Sequence, residues 1–234
     1  MLWEDEDKQK KEDVVPDDVV DLSFRINCRQ IPTMHAYELA QALYQVLPWI
    51  EDEPEIGIHQ IHGAATGNGW ERPPDGELMH LSKRAKMHLR VPKKKIADVS
   101  RISGATLDIA GYPVEVGEAS VKLLNPIQTI FSRYVIGPQD VSEEQFIDWM
   151  VEQLKQRDIQ VRKMLCGINH VISTPDGDIE TRSVMIADLD KHTSLSLQET
   201  GVGPGRHLGC GIFLPHKGVR AVGETEDKSH FTGT

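Results

Sequence analysis

The chain has 234 residues, of which 39% are hydrophobic and 26% charged, and its formal net charge is -10. This is the composition of a globular protein, and it excludes the collagen-like, low-complexity and disulfide-scaffold classes. No apolar run approaches the roughly 20 residues that a membrane-spanning helix needs, and the acidic N-terminus is unlike a secretory signal. We therefore expect no membrane partner. Because only three cysteines are present, Cys28, Cys166 and Cys210, we also expect a cytoplasmic protein with free thiols.

The charge is unevenly distributed along the sequence. Residues 1–18 hold eight acidic and three basic residues, whereas residues 83–95 hold seven Lys or Arg and no acid. Attraction to phosphate acts over a Debye length of about 8–10 Å, so a basic face can bind nucleic acid on an acidic protein. The basic stretch is therefore interpreted either as an RNA-binding face or as an ordinary solvated surface.

In the first half, hydrophobic spacing predicts strands and helices in alternation. Val20, Leu22, Phe24 and Ile26 alternate with polar residues, which is typical of a half-buried strand. Residues 34–47 have apolar side chains at helical spacing and end at Pro48. Short strands near 57–63 and 87–91, a helix over about 94–102 and a strand pair around Gly111-Tyr112 complete this half.

The second half repeats this order of elements. We predict a strand over about 127–136, a helix from Ser142 with Gln145 at the capping-box position, strands over about 160–172 and 178–187, a helix over about 193–199 and a last strand at Cys210–Leu214. Two runs of strand–helix–strand–strand–helix–strand predict an α+β fold of tandem ferredoxin-like (RRM-like) βαββαβ domains. The expected divisions are an acidic disordered tail over 1–18, domains over 19–124 and 125–223, and a polar tail over 224–234.

A glycine-rich segment precedes the last predicted strand. Gly201, Gly203, Gly205, Gly209 and Gly211 fall within eleven residues, together with Arg206 and His207. A dinucleotide-binding loop follows a strand and opens a helix, whereas this loop follows a helix and opens a strand, so that function is excluded. Two interpretations stay open: a loop that exposes backbone N–H groups to RNA phosphates, or a turn that leads into a core strand.

His35 stands in the first predicted turn of its helix, where free N–H groups and the helix dipole favour a bound phosphate. At about 100° per residue it lies about 140° from Ala40, which predicts an exposed side chain rather than a core histidine. An ordinary surface histidine is the alternative. Tyr37 lies at the edge of the apolar stripe, where we expect it to pack with its hydroxyl near the surface.

No metal or cofactor site is predicted. His59 and His62 are three residues apart on a predicted strand, so their side chains point to opposite faces. Cys166 and Cys210 each lack a second cysteine at zinc-binding spacing.

Four segments of the sequence resemble one family. They are IPTMHAYELAQAL, LSKRAKMHLRVP, LDIAGYPVEVG and GVGPGRHLGCGIFLPHK. Together they are similar to the CRISPR-associated repeat-processing endoribonucleases, and within these to the MYXAN branch of the Cas six family, over about residues 19–217. The resemblance implies a tandem ferredoxin-like protein that cuts precursor CRISPR RNA within its repeats. It also implies metal-independent attack by the ribose 2′-hydroxyl, which leaves a 2′,3′-cyclic phosphate and a 5′-hydroxyl.

The same resemblance implies roles for particular residues. His35 occupies the position of the family's general base or acid, and residues 201–211 correspond to the loop that supports the fold and RNA binding. Tyr37 is assigned an assisting role, and from charge we add Lys83 or Arg84 as a stabiliser of the phosphorane, with Lys83 taken as the catalytic residue. The predicted RNA-binding residues are Arg84, Lys86, Arg90, Lys93, Lys94, Gly201, Gly203, Gly205, Arg206, His207, Gly209 and Gly211.

Several alternatives stay open from the sequence. The second proton-transfer group is Tyr37, His62 or His207, and the sequence does not choose among them. The expected partners are the CRISPR repeat RNA hairpin and other subunits of an effector complex. The alternative function is a non-catalytic RNA-binding subunit of such a complex. An unrelated tandem RRM protein is disfavoured, because no RNP1 motif with aromatic residues is present.

Overall fold

A computed structural model describes residues 18–63 and 76–216 of the chain. The predicted acidic tail up to residue 17 and the predicted polar tail lie outside these residues.

The described chain forms strands that are grouped in two main sheets, with four α-helices packed against them. The strands are β1 (Val19–Asn27), β2 (Gln30–Pro32), β3 (Gly57–Ile58), β4 (Leu78–His80), β5 (Lys86–Pro92), β6 (Thr106–Ile109), β7 (Tyr112–Leu123), β8 (Ile130–Val135), β9 (Lys163–Thr174), β10 (Gly177–Ala187) and β11 (Leu214–Pro215). The helices are α1 (Ala36–Val46), α2 (Ile96–Ser100), α3 (Glu143–Lys155) and α4 (Lys191–Thr200), and short 3₁₀ helices lie at Pro48–Asp52, Lys93–Lys95 and Arg206–Leu208.

The first sheet has the strand order β3-β5-β1-β7-β6, and all its neighbours are antiparallel. Without β6, this is the order of a βαββαβ unit in which the first strand lies between the third and the fourth. Strand β6 forms a hairpin with β7 and adds a fifth strand at that edge of the sheet. Strands β2 and β4 form a separate two-stranded sheet. Val20, Leu22, Phe24 and Ile26 of β1 are all buried, as predicted, but Asp21 and Ser23 on the other face are buried as well, so only the end of the strand is half-buried.

The second sheet has the order β11-β8-β10-β9 and is also antiparallel. Its helix α3 begins with the predicted capping box, since Gln145 N–H donates to Ser142 Oγ at 3.2 Å and Ser142 N–H donates to Gln145 Oε1 at 2.9 Å. The predicted tandem ferredoxin-like fold is confirmed. The predicted boundary at 124/125 falls between β7 and β8, that is, between the last strand of one sheet and the first of the other.

Each sheet has its own hydrophobic core. The first core includes Phe24, Leu43 and Leu89, and the second includes Phe146, Met150 and Val184. A smaller cluster of Ala36, Tyr134, Ile172 and Cys210 joins α1 to the second sheet. The site described below lies along this junction.

The last strand differs from the sequence prediction. Cys210–Phe213 is buried but is not a strand, and β11 is confined to Leu214–Pro215. The apolar run that suggested a strand fills the interface between the two domains instead. The short strands β2 and β4 were not predicted, because three residues are too few to display an alternating pattern.

Candidate active site

His35 is held by hydrogen bonds on both sides of its ring. The side chain is 2% exposed. Its Nδ1 lies 2.8 Å from the carbonyl oxygen of Pro32, and the backbone N–H of Ile61 donates to its Nε2 at 3.0 Å. Because a carbonyl only accepts, Nδ1 carries the proton, and because Ile61 donates, Nε2 does not. The contacts therefore define the neutral tautomer with its lone pair on Nε2.

The expectation that His35 is an exposed residue is wrong. The helical wheel assumed helical dihedral angles, but α1 begins at Ala36 and His35 is the N-cap residue, with φ -124° and ψ 5°. The backbone turn before the helix directs the imidazole inward, against β2 and the segment around Ile61. Sequence spacing inside a helix carries no information about a side chain at the cap.

Tyr37 lines a cleft between α1 and the tip of the β9–β10 hairpin. The cavity has a volume of about 440 Å³. Its walls include Tyr37, Gln41, Tyr44, Glu51, Asp178 and His207. His35 is not among the lining residues, and Lys83 lines a different groove, so the three predicted catalytic residues do not share one cavity.

Within this cleft, Tyr44 and His207 connect α1 to the glycine-rich loop. The Tyr44 hydroxyl lies 2.6 Å from His207 Nδ1, and His207 Nε2 lies 3.0 Å from the carbonyl oxygen of Glu53. Since the carbonyl only accepts, Nε2 donates and Nδ1 accepts from the tyrosine. Burial and the nearby Glu51 charge raise the pKa of Tyr44 above its usual value, which keeps the donor protonated.

The predicted basic stretch is divided into two separate groups by β5. Lys83, Arg84 and Lys86 are exposed at the start of the strand, and Lys93 and Lys94 are exposed beyond its end. Seven residues of extended chain separate Lys86 from Lys93, or about 24 Å. The seven cations thus do not form one continuous face, although the exposed ones remain accessible to a phosphate backbone.

Arg90, which we expected to bind RNA, is 0% exposed. Its guanidinium binds both carboxylate oxygens of Asp21, with Nε–Oδ1 at 2.8 Å and Nη2–Oδ2 at 3.0 Å. Its Nη1 donates to the carbonyl oxygens of Gln198 and Phe213. The RNA-binding assignment is therefore wrong for Arg90, which joins β1 and β5 to the second domain.

Two half-buried histidines flank this ion pair. His59 Nε2 lies 3.3 Å from Asp21 Oδ1, and the His59 and His88 rings are 5.9 Å apart. Burial lowers the pKa of His59, and burial together with His59 lowers the pKa of His88 to about 4. Burial alone raises the pKa of Asp21, but the charges and hydrogen bonds of His59 and Arg90 outweigh it and hold that pKa well below its usual range.

The glycines of the 201–211 loop are required by packing inside the protein. All five have positive φ, between 66° and 82°. A Cβ on Gly201 would lie 2.3 Å from the Gly211 carbonyl oxygen, and one on Gly211 would lie 2.3 Å from that of Val202. Positive φ and such close contacts admit only glycine. Gly203 and Gly205 similarly approach Ile136, and Gly209 approaches Gln60 and Ile58.

Backbone N–H groups of this loop are used within the protein. Gly201 donates to Leu197, Gly209 to Arg206 and Gly211 to Tyr134, each to a carbonyl oxygen. The prediction that these groups face RNA phosphates is wrong for Gly201, Gly209 and Gly211, and the turn interpretation is correct for them. Gly203 and Gly205 are partly exposed, and RNA contact there stays a prediction.

Arg206 is also wrongly assigned to RNA, because it is only 9% exposed. Its Nε donates to the Glu55 carbonyl oxygen and its Nη2 to that of Glu199. Burial, followed by the charge of Arg90, lowers the pKa of Arg206 to about 10, so it remains a cation at neutral pH. His207 is half-buried, and both its ring nitrogens are engaged as described above.

Three guanidinium groups meet the C-terminal end of α4. Arg90 donates to Gln198, Arg206 to Glu199 and Arg157 to Gly201, in each case to the backbone carbonyl. The last carbonyls of a helix lack partners within the helix and carry partial negative charge, so cations stabilise them. This junction therefore depends on residues from β5, the glycine-rich loop and the segment after α3.

Sequence reasoning missed Tyr44, Arg25 and Arg29. Tyr44 falls on the apolar stripe of α1, and that spacing predicts a core residue. Arg25 and Arg29 line the same groove as Lys83 but stand outside the Lys-rich stretch. The sequence feature that could have identified Arg25 is its position on the polar side of β1, opposite the apolar residues of that strand.

The residues that the structure describes contain no group of three or more His, Cys, Asp or Glu side chains arranged to hold a metal ion. Nor does any helix among them have the length and apolar character needed to cross a membrane.

Comparison with known proteins identifies the family. The sequence model of the family described as Cas6 Crispr matches residues 20–218. The CRISPR-associated endonuclease Cas6 of Myxococcus xanthus (strain DK1622) is 29% identical over 196 residues, which cover 84% of this chain and 81% of that protein.

Solved structures with the same fold are also similar. One described as CRISPR associated protein Cas6 superposes with a TM-score of 0.60 at 11% identity and covers 85% of this chain and 100% of its own. A Cas6-related protein of Pyrococcus furiosus gives a TM-score of 0.58 at 15% identity, over 83% of this chain and 97% of that chain. With the family model matching most of the described residues, this chain belongs to the Cas6 family.

Proposed function

We propose that this protein is an endoribonuclease that cleaves precursor CRISPR RNA within its repeats. The observation that carries the proposal is its membership of the Cas6 family, supported by the Myxococcus xanthus relative, which is named an endonuclease and aligns over most of both chains. The exposed cations at Lys83, Arg84 and Lys86 supply positive charge for an RNA backbone.

The proposed reaction is an internal transesterification that needs no metal ion. The ribose 2′-oxygen forms a bond to the adjacent phosphorus while the bond from phosphorus to the 5′-oxygen breaks. One proton leaves the 2′-hydroxyl and one arrives at the departing 5′-oxygen, so the products are a 2′,3′-cyclic phosphate and a 5′-hydroxyl. Proton transfer by a positioned side chain typically accelerates such a reaction by about 10²–10⁴-fold.

His35 is the proposed proton-transfer residue. The bond from Nδ1–H to the Pro32 carbonyl fixes the tautomer in which Nε2 is unprotonated, as a general base requires. In the structure, that lone pair accepts the Ile61 N–H. We therefore expect the segment around Ile61 to release Nε2 when RNA binds. Tyr37 and Lys83 line cavities that His35 does not, so we assign Lys83 to phosphate binding and leave Tyr37 as a second proton-transfer candidate.

The test is cleavage of end-labelled repeat RNA in EDTA by the wild type, His35→Ala and His35→Asn. Asparagine retains a donor toward the Pro32 carbonyl, so His35→Asn separates a structural role from a proton-transfer role. We expect the wild type to cut, and both variants to bind RNA with little change while cutting at least about 100-fold more slowly. End analysis should detect the cyclic phosphate and a 5′-hydroxyl that a polynucleotide kinase labels directly.

Two results would contradict the proposal. Loss of wild-type cutting in EDTA, restored by Mg²⁺, would reject metal independence. Full activity of His35→Asn would show that His35 has only a structural role.

The second candidate function is a non-catalytic RNA-binding subunit of a CRISPR effector complex. One observation favours it: His35 is buried and both its ring nitrogens are engaged. Under this function the wild type binds the repeat hairpin without cutting it. If the wild type cuts, multiple-turnover kinetics show whether product stays bound, since retention limits the reaction to about one RNA per protein.

A further inference from the structure

An open groove of about 900 Å³ lies on the first domain, away from both His35 and the Tyr37 cleft. It runs along the end of β1 and the turn that follows, and its other wall comes from β7 and from the segment before β5. Twelve residues line it, among them Arg25, Asn27, Cys28, Arg29, Lys83 and Glu115.

The groove is rich in exposed cations that lack acidic partners. Arg25, Arg29 and Lys83 are exposed and line it. None of the three forms an ion pair within the part of the chain that the structure describes. The acid on the wall, Glu115, instead accepts a hydrogen bond from Asn27 Nδ2 at 2.7 Å.

A fourth cation faces the first across the sheet. Lys86 of β5 pairs directly with Arg25 of β1 in the antiparallel register. Like charges at directly opposed positions destabilise a sheet. Arg25 and Lys86 lie on an exposed face without an acid of the described chain to neutralise them. An anion that binds there from solution would relieve their repulsion.

The pairing of β1 with β7 is irregular at Arg25. The β1–β7 register shifts between Phe24 and Ile26, where Gly117 and Glu118 of β7 lie opposite Arg25 alone, so β7 bulges at this point. At Gly117 a Cβ would lie 3.3 Å from both the Cβ and the carbonyl oxygen of Arg25. Bulges bend the strand that carries them, and they are common next to functional sites.

We propose that Arg25, Arg29, Lys83 and Lys86 bind consecutive phosphates of the RNA substrate, at a site separate from the scissile bond. The inference rests on the proposed function and extends it to residues outside the Lys-rich stretch. Guanidinium groups suit phosphate because they donate two parallel hydrogen bonds to it. From Arg29 the chain passes through β2 to His35, so the groove and the proposed proton-transfer residue are connected by a short segment of backbone.

The first experiment measures the salt dependence of repeat-RNA binding. The double variant Arg25→Gln/Arg29→Gln is compared with Lys155→Gln/Arg162→Gln, which removes the same charge from exposed positions of the second domain. We expect the groove variant to lower the log–log salt slope by about 1.4, since each phosphate contact on a single strand contributes about 0.7. The control should retain both the wild-type slope and the wild-type rate of single-turnover cleavage.

The possible failures are distinguishable. If the groove variant has the wild-type salt slope and the wild type cuts RNA, the proposal that the groove binds RNA is overturned but the proposed function stands. If the groove variant lowers the salt slope but the wild type never cuts RNA, the proposed function is overturned and the groove remains an RNA-binding site. Competition by polyglutamate as effective as that of RNA would assign the groove to an acidic protein segment and overturn the RNA assignment.

A second experiment uses the native cysteines of the wild type, so it does not require any variant to fold. Cys28 lines the groove, whereas Cys210 is buried and burial raises its pKa to about 12. Cys166 has its pKa raised to about 11, chiefly by burial, and is the partly exposed control. We expect bound RNA to slow alkylation of Cys28 several-fold without slowing that of Cys166. Equal rates for Cys28 with and without saturating RNA would overturn the site.

Discussion

Arg90 and Asp21 form a two-point ion pair, with Nε–Oδ1 at 2.8 Å and Nη2–Oδ2 at 3.0 Å, at the place where the second domain covers the first sheet. The remaining guanidinium nitrogen reaches the carbonyl oxygens of Gln198 and Phe213, at 2.7 and 2.8 Å. One side chain thus satisfies a buried carboxylate and two buried carbonyls on three separate segments. This pair provides the sharpest test of how the domains are held together.

Replacing Arg90 by Met should lower the free energy of unfolding by about 3–5 kcal/mol, because the Asp21 charge then remains buried without its partner. Urea denaturation measures the change. The double variant Arg90→Met/Asp21→Asn should be less destabilised than Arg90→Met alone. The exposed Lys94→Gln control should change stability by no more than about 0.5 kcal/mol. If the single and double variants lose equal free energy of unfolding, the Asp21 charge is compensated even without Arg90.

Stability should fall as the pH is lowered from about 6.5 to about 4. The pKa of His88 is lowered to about 4 by burial, whereas in the unfolded chain it is near 6.5. Between these values the unfolded state binds a proton that the folded state does not, which favours unfolding by up to about 1.4 kcal/mol per pH unit. Asp21 stays ionised throughout this window because its pKa is lowered.

The measurement for this prediction is urea unfolding at several pH values. His88→Gln should reduce the slope of stability against pH by up to one proton, and His192→Gln, at an exposed position, should leave it unchanged. An identical slope in the wild type and His88→Gln would mean that His88 is not kept neutral by burial.

Gly211→Ala should be far more destabilising than Gly104→Ala, although both glycines have positive φ, +66° and +89°. At Gly211 the added Cβ would lie 2.3 Å from the Val202 carbonyl oxygen, whereas at Gly104 nothing lies within 4 Å. We expect Gly104→Ala to cost about 1 kcal/mol, from backbone strain alone, and Gly211→Ala to cost several times more. Thermal denaturation compares them, and similar melting temperatures would contradict the packing argument.

Tyr44 and His207 should be energetically coupled. Tyr44→Phe leaves His207 Nδ1 without its donor in a half-buried site, which should cost about 1 kcal/mol. A double-mutant cycle with His207→Gln isolates the pair, and we expect a coupling energy above about 0.5 kcal/mol. Tyr37→Phe, in the same cleft, is the matched control. Additive effects of Tyr44→Phe and His207→Gln would show that the short contact contributes nothing to stability.

Local patterns in the sequence correctly predicted most of the fold. The alternation in β1, the apolar spacing in α1 and the capping box of α3 each involve residues only two to four positions apart, so the chain itself records them. The order of these elements then indicated two ferredoxin-like domains. The prediction was wrong where tertiary contact replaced local pattern, as at Cys210–Phe213, whose apolar run fills an interface rather than a strand.

The sequence by itself therefore determined most of the elements, their order and the family, because periodicity, caps and motifs are properties of short segments. Only the tertiary structure decided which charged and titratable side chains are buried. Arg90 meets carbonyl groups 108 and 123 residues further along the chain, and His35 meets an N–H group 26 residues away. Burial of such groups is stable only when partners from distant segments converge, and no local spacing encodes that convergence.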